Sequence, residues 1–374
     1  MASLSAAAAG HAKQTAALVQ PVPSLVMKGT NDPLYDFERT EAAILLEGGE
    51  IAVVSSQRCD VRVFGPDGKF RRQYGKRGDG PGEFRQVRYS GRSADTMYLY
   101  DLSNNRLTTL NAKTGLLAMS VRPTTQGGIA VPIQRFSDGS FLYWPFVGLS
   151  MRHREGVFRD SRSIWVGRFD DPKPLAELGP FQGLTLLASN PGNLPRALSV
   201  GRYRFGPQLS ALAVDTLVIV AEGGEPELSF VSRTGKVVRR INIALPRATF
   251  DRASLDRQRR KALEGVSDRV SRIAIANDYD EKFLPSVAPS IRAVFRAADG
   301  AIWVEAFRAE LERDAQFVIL SASGAETTRG AFPGGIDVLE IGRDYVLGAQ
   351  RDADGVASIV KFKRNSIFGS PSRR

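Results

Sequence analysis

Apolar and polar residues alternate with a period of two along short runs of this 374-residue chain. Ile51–Ser55, Val61–Phe64 and Phe70–Tyr74 are three such runs, and the gap before the last holds Pro66-Asp67-Gly68. Such alternation marks a strand covered on one face, and Pro followed closely by Gly marks a tight turn. The plan returns in "ADTMYLYDLSNNRLTTLNAKTGLLAMSV" and again in "AVDTLVIVAEGGEPELSFVSRTGKVVRRINI". Its turn residues recur at a spacing of 20: Gly48 and Gly68, Asp95 and Gly115, Asp215 and Gly235. Looser copies open at "RFSDGSFLYWPF", whose hairpin is lengthened by "SMRHREGVFRDSRS", at "FRAADGAIWVEAF" and at "LEIGRDYVLGAQRDADGVASIVKFKR". That makes six units. Each reads as a four-stranded antiparallel meander of about 40–50 residues, which predicts an all-β, six-bladed β-propeller over residues 22–364.

The segment "GKRGDGPGEF", residues 75–84, fits this plan as a crossover. After an outermost strand the chain must return to the hub, and Gly75, Gly78, Gly80 and Gly82 allow a sharp path while Pro81 stiffens it. Phe84 is expected to plug the apolar layer between two neighbouring units. A phosphate-binding glycine loop would lead into a helix, and no helical pattern follows here.

The residues "FGPDGKFRRQYGKRGDGPGEF" followed by "YLYDLSNNRL" resemble the NHL-repeat type of six-bladed β-propeller. Asp101, Asn104, Asn105, Arg106 and Leu107 match the family's Asp…Asn-His-Arg-Ile/Leu turn, with Asn105 in the His slot. The likeness is specific over about residues 37–123, moderate over 286–364 and weak between. It implies that the final unit, with three evident strands, takes its outer strand from "PSLVMKG" at 23–29. Relatives range from protein- and RNA-binding modules to lactonase-like and lyase-like enzymes, so the resemblance implies a fold more firmly than an activity.

One segment breaks the strand pattern. In 249–284, Leu255, Ala262, Val266, Val270 and Ile273 recur at helical spacing, with Thr249 as the expected N-cap and Asp251 in the first turn. This is a helical insertion between the fourth and fifth units. Arg257, Arg259, Arg260 and Lys261 crowd its polar side, which reads either as a solvated face or as a surface for an anionic partner. Its apolar face is mostly Ala and Val, poorly suited to a membrane surface.

Chemistry-bearing residues are few. The chain has one cysteine, Cys59, so neither an intrachain disulfide nor a cysteine metal site is available. Its two histidines are His11, near the start, and His153, in the long hairpin, so multi-histidine zinc chemistry is not expected. Among the segments expected to line the hub, Glu41, Asp337 and Glu340 are the sole carboxylates, short of an obvious oxygen cage for a divalent ion. The same segments carry Arg88, Arg204 and Arg292. Guanidinium groups at a channel rim could hold an anion through paired hydrogen bonds, or could simply be paired with carboxylates.

The net charge of +11 arises with 51 basic against 40 acidic residues. A basic excess can favour nucleic acid, but here the basic residues are spread along the chain, as inflated arginine usage would spread them. No run reaches the ~20 apolar residues that span a bilayer. Residues 1–21, opening "MASLSAAAAGHAKQ", resemble the end of a signal peptide or a disordered tail, and 365–374 read as a basic flexible tail. These observations lead us to expect a monomeric, non-catalytic binding or scaffold propeller in the periplasm or secreted, with the cytoplasm as the alternative. We expect no cofactor and no metal, and an unidentified protein or anionic small molecule as partner. The alternatives are a metal-dependent propeller hydrolase or lactonase, and a nucleic-acid-binding propeller.

Overall fold

The computed structural model describes residues 21–120, 130–145, 155–169, 171, 173–189, 199–310, 312–352 and 354–367. His11 and His153 lie outside them, as do residues 1–20 and 368–374.

The alternating runs form six antiparallel sheets. The first comprises Thr40–Leu45, Ile51–Ser55, Asp60–Phe64 and Phe70–Tyr74. The second runs from Val87–Ser93 to Leu117–Ser120, the fourth from Ser210–Val214 to Val237–Asn242, and the fifth from Ile291–Arg296 to Glu326–Phe332. The sixth contains Ile336–Ile341, Tyr345–Arg351 and Ala357–Lys363, and its fourth strand is Leu25–Met27 from the other end of the chain. That strand pairs antiparallel with Ala357–Lys363 in the register Leu25 with Lys361 and Met27 with Ile359.

The third sheet departs from the expected four strands. It has five, because residues placed in a lengthened hairpin loop are themselves extended: Gly156–Gly167 pairs with the 14-residue strand Ala176–Ser189. The far half of the latter then accepts Ser199–Arg202 as a fifth strand.

Buried side chains cluster between successive sheets. Val54, Val61 and Phe84 meet Leu99 and Leu110 between the first and second. Tyr100 and Phe141 meet between the second and third, Leu142 and Val218 between the third and fourth, and Phe230 and Val304 between the fourth and fifth. Phe317 and Phe362 join the fifth to the sixth, and Met27, Ile359, Val53 and Phe64 join the sixth to the first. The first strands of sheets two to five in chain order, with Ile336–Ile341 of the sixth, line one cavity of about 480 Å³ with Tyr89, Gln134, Leu212, Phe295 and Glu340 on its wall. Six sheets in this order fit a six-bladed β-propeller.

The crossover at 75–84 takes the form expected from its glycines. Gly75 has φ +76°, and a Cβ there would stand 2.8 Å from the Phe84 ring. Phe84 is 1% exposed in the layer between the first two sheets. The Asp101 turn is held by that buried carboxylate, which accepts from the backbone N–H of Arg85 (2.8 Å), Gln86 (3.1 Å) and Ser103 (3.1 Å) and from Asn104 Nδ2 (2.9 Å).

The insertion is two helices, not one. Helix α1 is Arg252–Leu263 and helix α2 is Arg269–Asp278, parted at Gly265 with φ +71°. The N-cap of α1 is Asp251, not Thr249: its Oδ2 accepts from Ser254 N at 2.8 Å. The segment from 365, expected as a flexible tail, starts folded: Arg364–Ser366 is a 3-10 turn and Ile367 is buried.

Candidate functional site

Leu255 of α1 and Tyr279 at the end of α2 dock on Leu187, Tyr203 and Phe205 of the third sheet and its following turn, with Phe250 and Phe307 at the margin. Ring pairs fix the geometry: Phe205 meets Phe250 at 5.6 Å and Tyr279 at 5.5 Å, both edge to face. Tyr203 donates its hydroxyl to Phe283 O at 3.0 Å. The helices therefore cover one side of the end where the innermost strands begin.

Beside this cover lies a cavity of about 300 Å³ whose wall includes Arg202, Arg204, Ile291, Arg292, Phe307 and Arg308. Two of these arginines are spent on the fold. Arg292 Nη1 donates to both oxygens of the buried Glu305 (2.9 and 2.8 Å), and its Nη2 to Asp337 at 2.6 Å. Burial works against the Arg292 charge, but the two carboxylates outweigh it and hold its pKa above the ordinary value. Arg308 is buried, donates to Arg313 O (2.7 Å) and Ile336 O (3.1 Å), and stands 3.3 Å from Glu305.

Arg202 and Arg204 differ. Neither has a carboxylate within 4.0 Å among the described residues. Arg202 ends the fifth strand of the third sheet, and its Nε donates to Gln208 Oε1 at 2.9 Å. Gln208 is itself oriented, since its Nε2 donates to Tyr203 O (3.1 Å) and Gly206 O (3.0 Å). The Arg202 pKa is lowered, first by loss of water around the charge and then by the like charge of Arg292. Arg204 lies over the rings of Phe205 (5.3 Å) and Tyr279 (5.1 Å) and donates Nη1 to the Tyr279 hydroxyl. Nearby, burial pushes the Asp278 carboxyl up to about 6 against the pull of Arg204.

The structure thus brings together Arg204 and Arg292 but not Arg88. Arg88 is the second residue of the strand Val87–Ser93 of the second sheet and donates to Glu41 at 2.8 Å. Arg204 reaches the site from an unexpected place: the innermost strand of the fourth sheet starts at Ser210, and Arg204 lies in the turn before it. Arg202 and Arg308 were not read from the sequence. The pair Arg202-x-Arg204 was visible there, but its meaning depends on the fifth strand, which no alternation signalled. Arg257, Arg259, Arg260 and Lys261 line the exposed side of α1, outside this cavity. Lys261 comes within 4.0 Å of Glu312, and the other three form no ion pair among the described residues. No group of three metal-ligating side chains occurs among the described residues. No helix among them is long and apolar enough to cross a membrane.

No protein-family model matches the chain, and no curated protein matches it. Solved structures do share its fold. A member of the DUF4221 family from Bacteroides vulgatus is 9% identical, with 92% of this chain and 98% of that chain covered, at a TM-score of 0.53. A Bacteroides fragilis protein described as a candidate exported protein is 13% identical over 92% and 96% of the two chains, at 0.48. Virginiamycin B lyase from Staphylococcus aureus is 11% identical over 91% and 98%, at 0.44. At these identities the first match speaks for the fold alone, and the two looser ones add nothing to it.

Proposed function

We propose that the six sheets close into one NHL-like propeller that serves as a non-catalytic binding module, and that its helix-covered end receives an anionic ligand. One observation carries this reading. Arg202 and Arg204 stand together on a cavity wall with no carboxylate within 4.0 Å among the described residues, while the neighbouring Arg292 is paired with Glu305 and Asp337. Both arginines are exposed, so their free guanidinium edges are open to an incoming anion, which can accept paired, charge-assisted hydrogen bonds from them. The polar lining of this cavity is four arginines and Gln208, a set that suits holding an anion.

The test is thermal melting of the full chain in low-salt buffer with millimolar phosphate or citrate, and separately with calcium or zinc. A ligand that binds only the folded state stabilises by about 2.7 kcal/mol at a hundredfold excess over its Kd. We expect the anions to raise the Tm by a few degrees and the metals to leave it unchanged. The double variant R202A/R204A should lose the anion shift, whereas a general salt effect would persist in it. A shift with metal only, or one retained in the double variant, overturns the reading.

A further inference from the structure

The geometry points to a short-chain dicarboxylate as the ligand of the arginine cavity. This rests on the anion-binding reading above and narrows it to a chemical class. The first argument is charge. Of the four guanidinium groups on the wall, Arg292 and Arg308 are satisfied by Glu305, Asp337 and backbone carbonyls, whereas Arg202 and Arg204 have no carboxylate within 4.0 Å among the described residues and can each meet a ligand. The second is shape. Gln208 takes the Nε of Arg202, so the terminal Nη1–Nη2 edge of that group is left for a ligand. Both faces of Arg204 are not equally open: Phe205 and Tyr279 pack on its plane and Tyr279 takes Nη1, so a ligand meets it edge-on, in the plane of the fork. A planar carboxylate suits an in-plane guanidinium edge better than a compact, rotationally symmetric ion does.

The third argument is the rest of the wall. Half-buried Phe307 offers apolar surface beside the two cations. Inorganic phosphate has nothing to place there; a hydrocarbon spacer between two carboxylates does. The cavity, at about 300 Å³, sits at the small end of ligand sites, which run from about 300 to 1,000 Å³. A four- to six-carbon diacid is in scale, and a nucleotide or a peptide is not.

The experiment is isothermal titration of the full chain at low ionic strength with succinate, with butyrate and with inorganic phosphate. Succinate should bind at least about tenfold more tightly than either of the others. R202A and R204A should each weaken succinate by at least about tenfold, since a charge-assisted pair contributes about 1.5–3 kcal/mol. R202K, which keeps the charge but not the fork, should recover only part of the loss. Far-ultraviolet circular dichroism and the Tm establish that each variant is folded. Butyrate binding as tightly as succinate, or phosphate binding more tightly in an Arg202-dependent way, overturns the dicarboxylate assignment and leaves the anion site standing. No binding of any of the three overturns both.

Discussion

Asp278 holds a charge that its surroundings oppose. Burial raises its pKa from the ordinary carboxylate range to about 6, and Arg204 offsets this only in part. Between about pH 4 and pH 6 the folded chain keeps a proton that the unfolded chain has lost. Stability from this group therefore falls as pH rises through that window and is level above it. The difference corresponds to at most about 3 kcal/mol. Asp278→Asn should accordingly melt above the wild type at pH 7.5, and the two should converge toward pH 5. A variant that melts at or below the wild type at pH 7.5 would show that Asp278 is not a strained anion. At this scale the sequence was half legible. Arg204 and Arg292 stood out as cations, but which were neutralised depended on Glu305 and Asp337, 13 and 45 residues from Arg292. No periodicity reports such partnerships.

Among the elements, the crossover shows how local chemistry sets packing. Gly75 lies in the left-handed region and close against the ring of Phe84, so the glycine and the aromatic form one device: the first gives the turn and the space, the second fills the layer. Phe84→Ala should cost about 3–5 kcal/mol, the usual loss for emptying a buried aromatic site. In urea the midpoint should drop with the slope unchanged; a midpoint equal to that of the wild type would mean that Phe84 is not part of the core. This device was legible because its residues are contiguous. The 20-residue turn spacing was legible for a similar reason: Gly48, Gly68, Gly115 and Gly235 all have positive φ, as does Asp215, and few residues tolerate that. The fifth strand of the third sheet was not, since Ser199–Arg202 is short and is extended because Leu186–Ser189 presents an open edge to it. Nor was the cap of α1, where Thr249 and Asp251 were both chemically able. Phe250 at the docking cluster accompanies a helix start just after it, which leaves Asp251 as the residue that reaches Ser254.

For the whole molecule, the question is what holds the first and sixth sheets together. Leu25–Met27 is three residues long, yet it touches both sides. Its backbone pairs with Ala357–Lys363, and Met27, 2% exposed, joins Ile359 to Phe64 and Val53 of the first sheet. Leu25 and Met27 also lie against Gly68 in the turn of the first sheet. Glu38 adds a second tie, with Arg351 at 2.5 Å and the backbone N–H of Ala357 at 3.2 Å. The ties of Leu25–Met27 and of Glu38 to the sixth sheet join residues more than 300 positions apart, so their formation carries the entropy of ordering nearly the full chain. Deleting residues 1–29 removes the first tie and keeps the second. It uncovers the edge of Ala357–Lys363, a row of unpaired backbone groups open to another strand. The truncated chain should therefore melt lower than the full chain and should also associate as its concentration rises, which light scattering reads directly. Met27→Ala provides the control that separates the two effects: it empties the apolar contact but leaves the backbone pairing in place, so it should lower the Tm without association. A truncated chain that matches the full chain in both Tm and mass would mean that the six sheets hold together without the clasp, and that packing between the first and sixth sheets suffices.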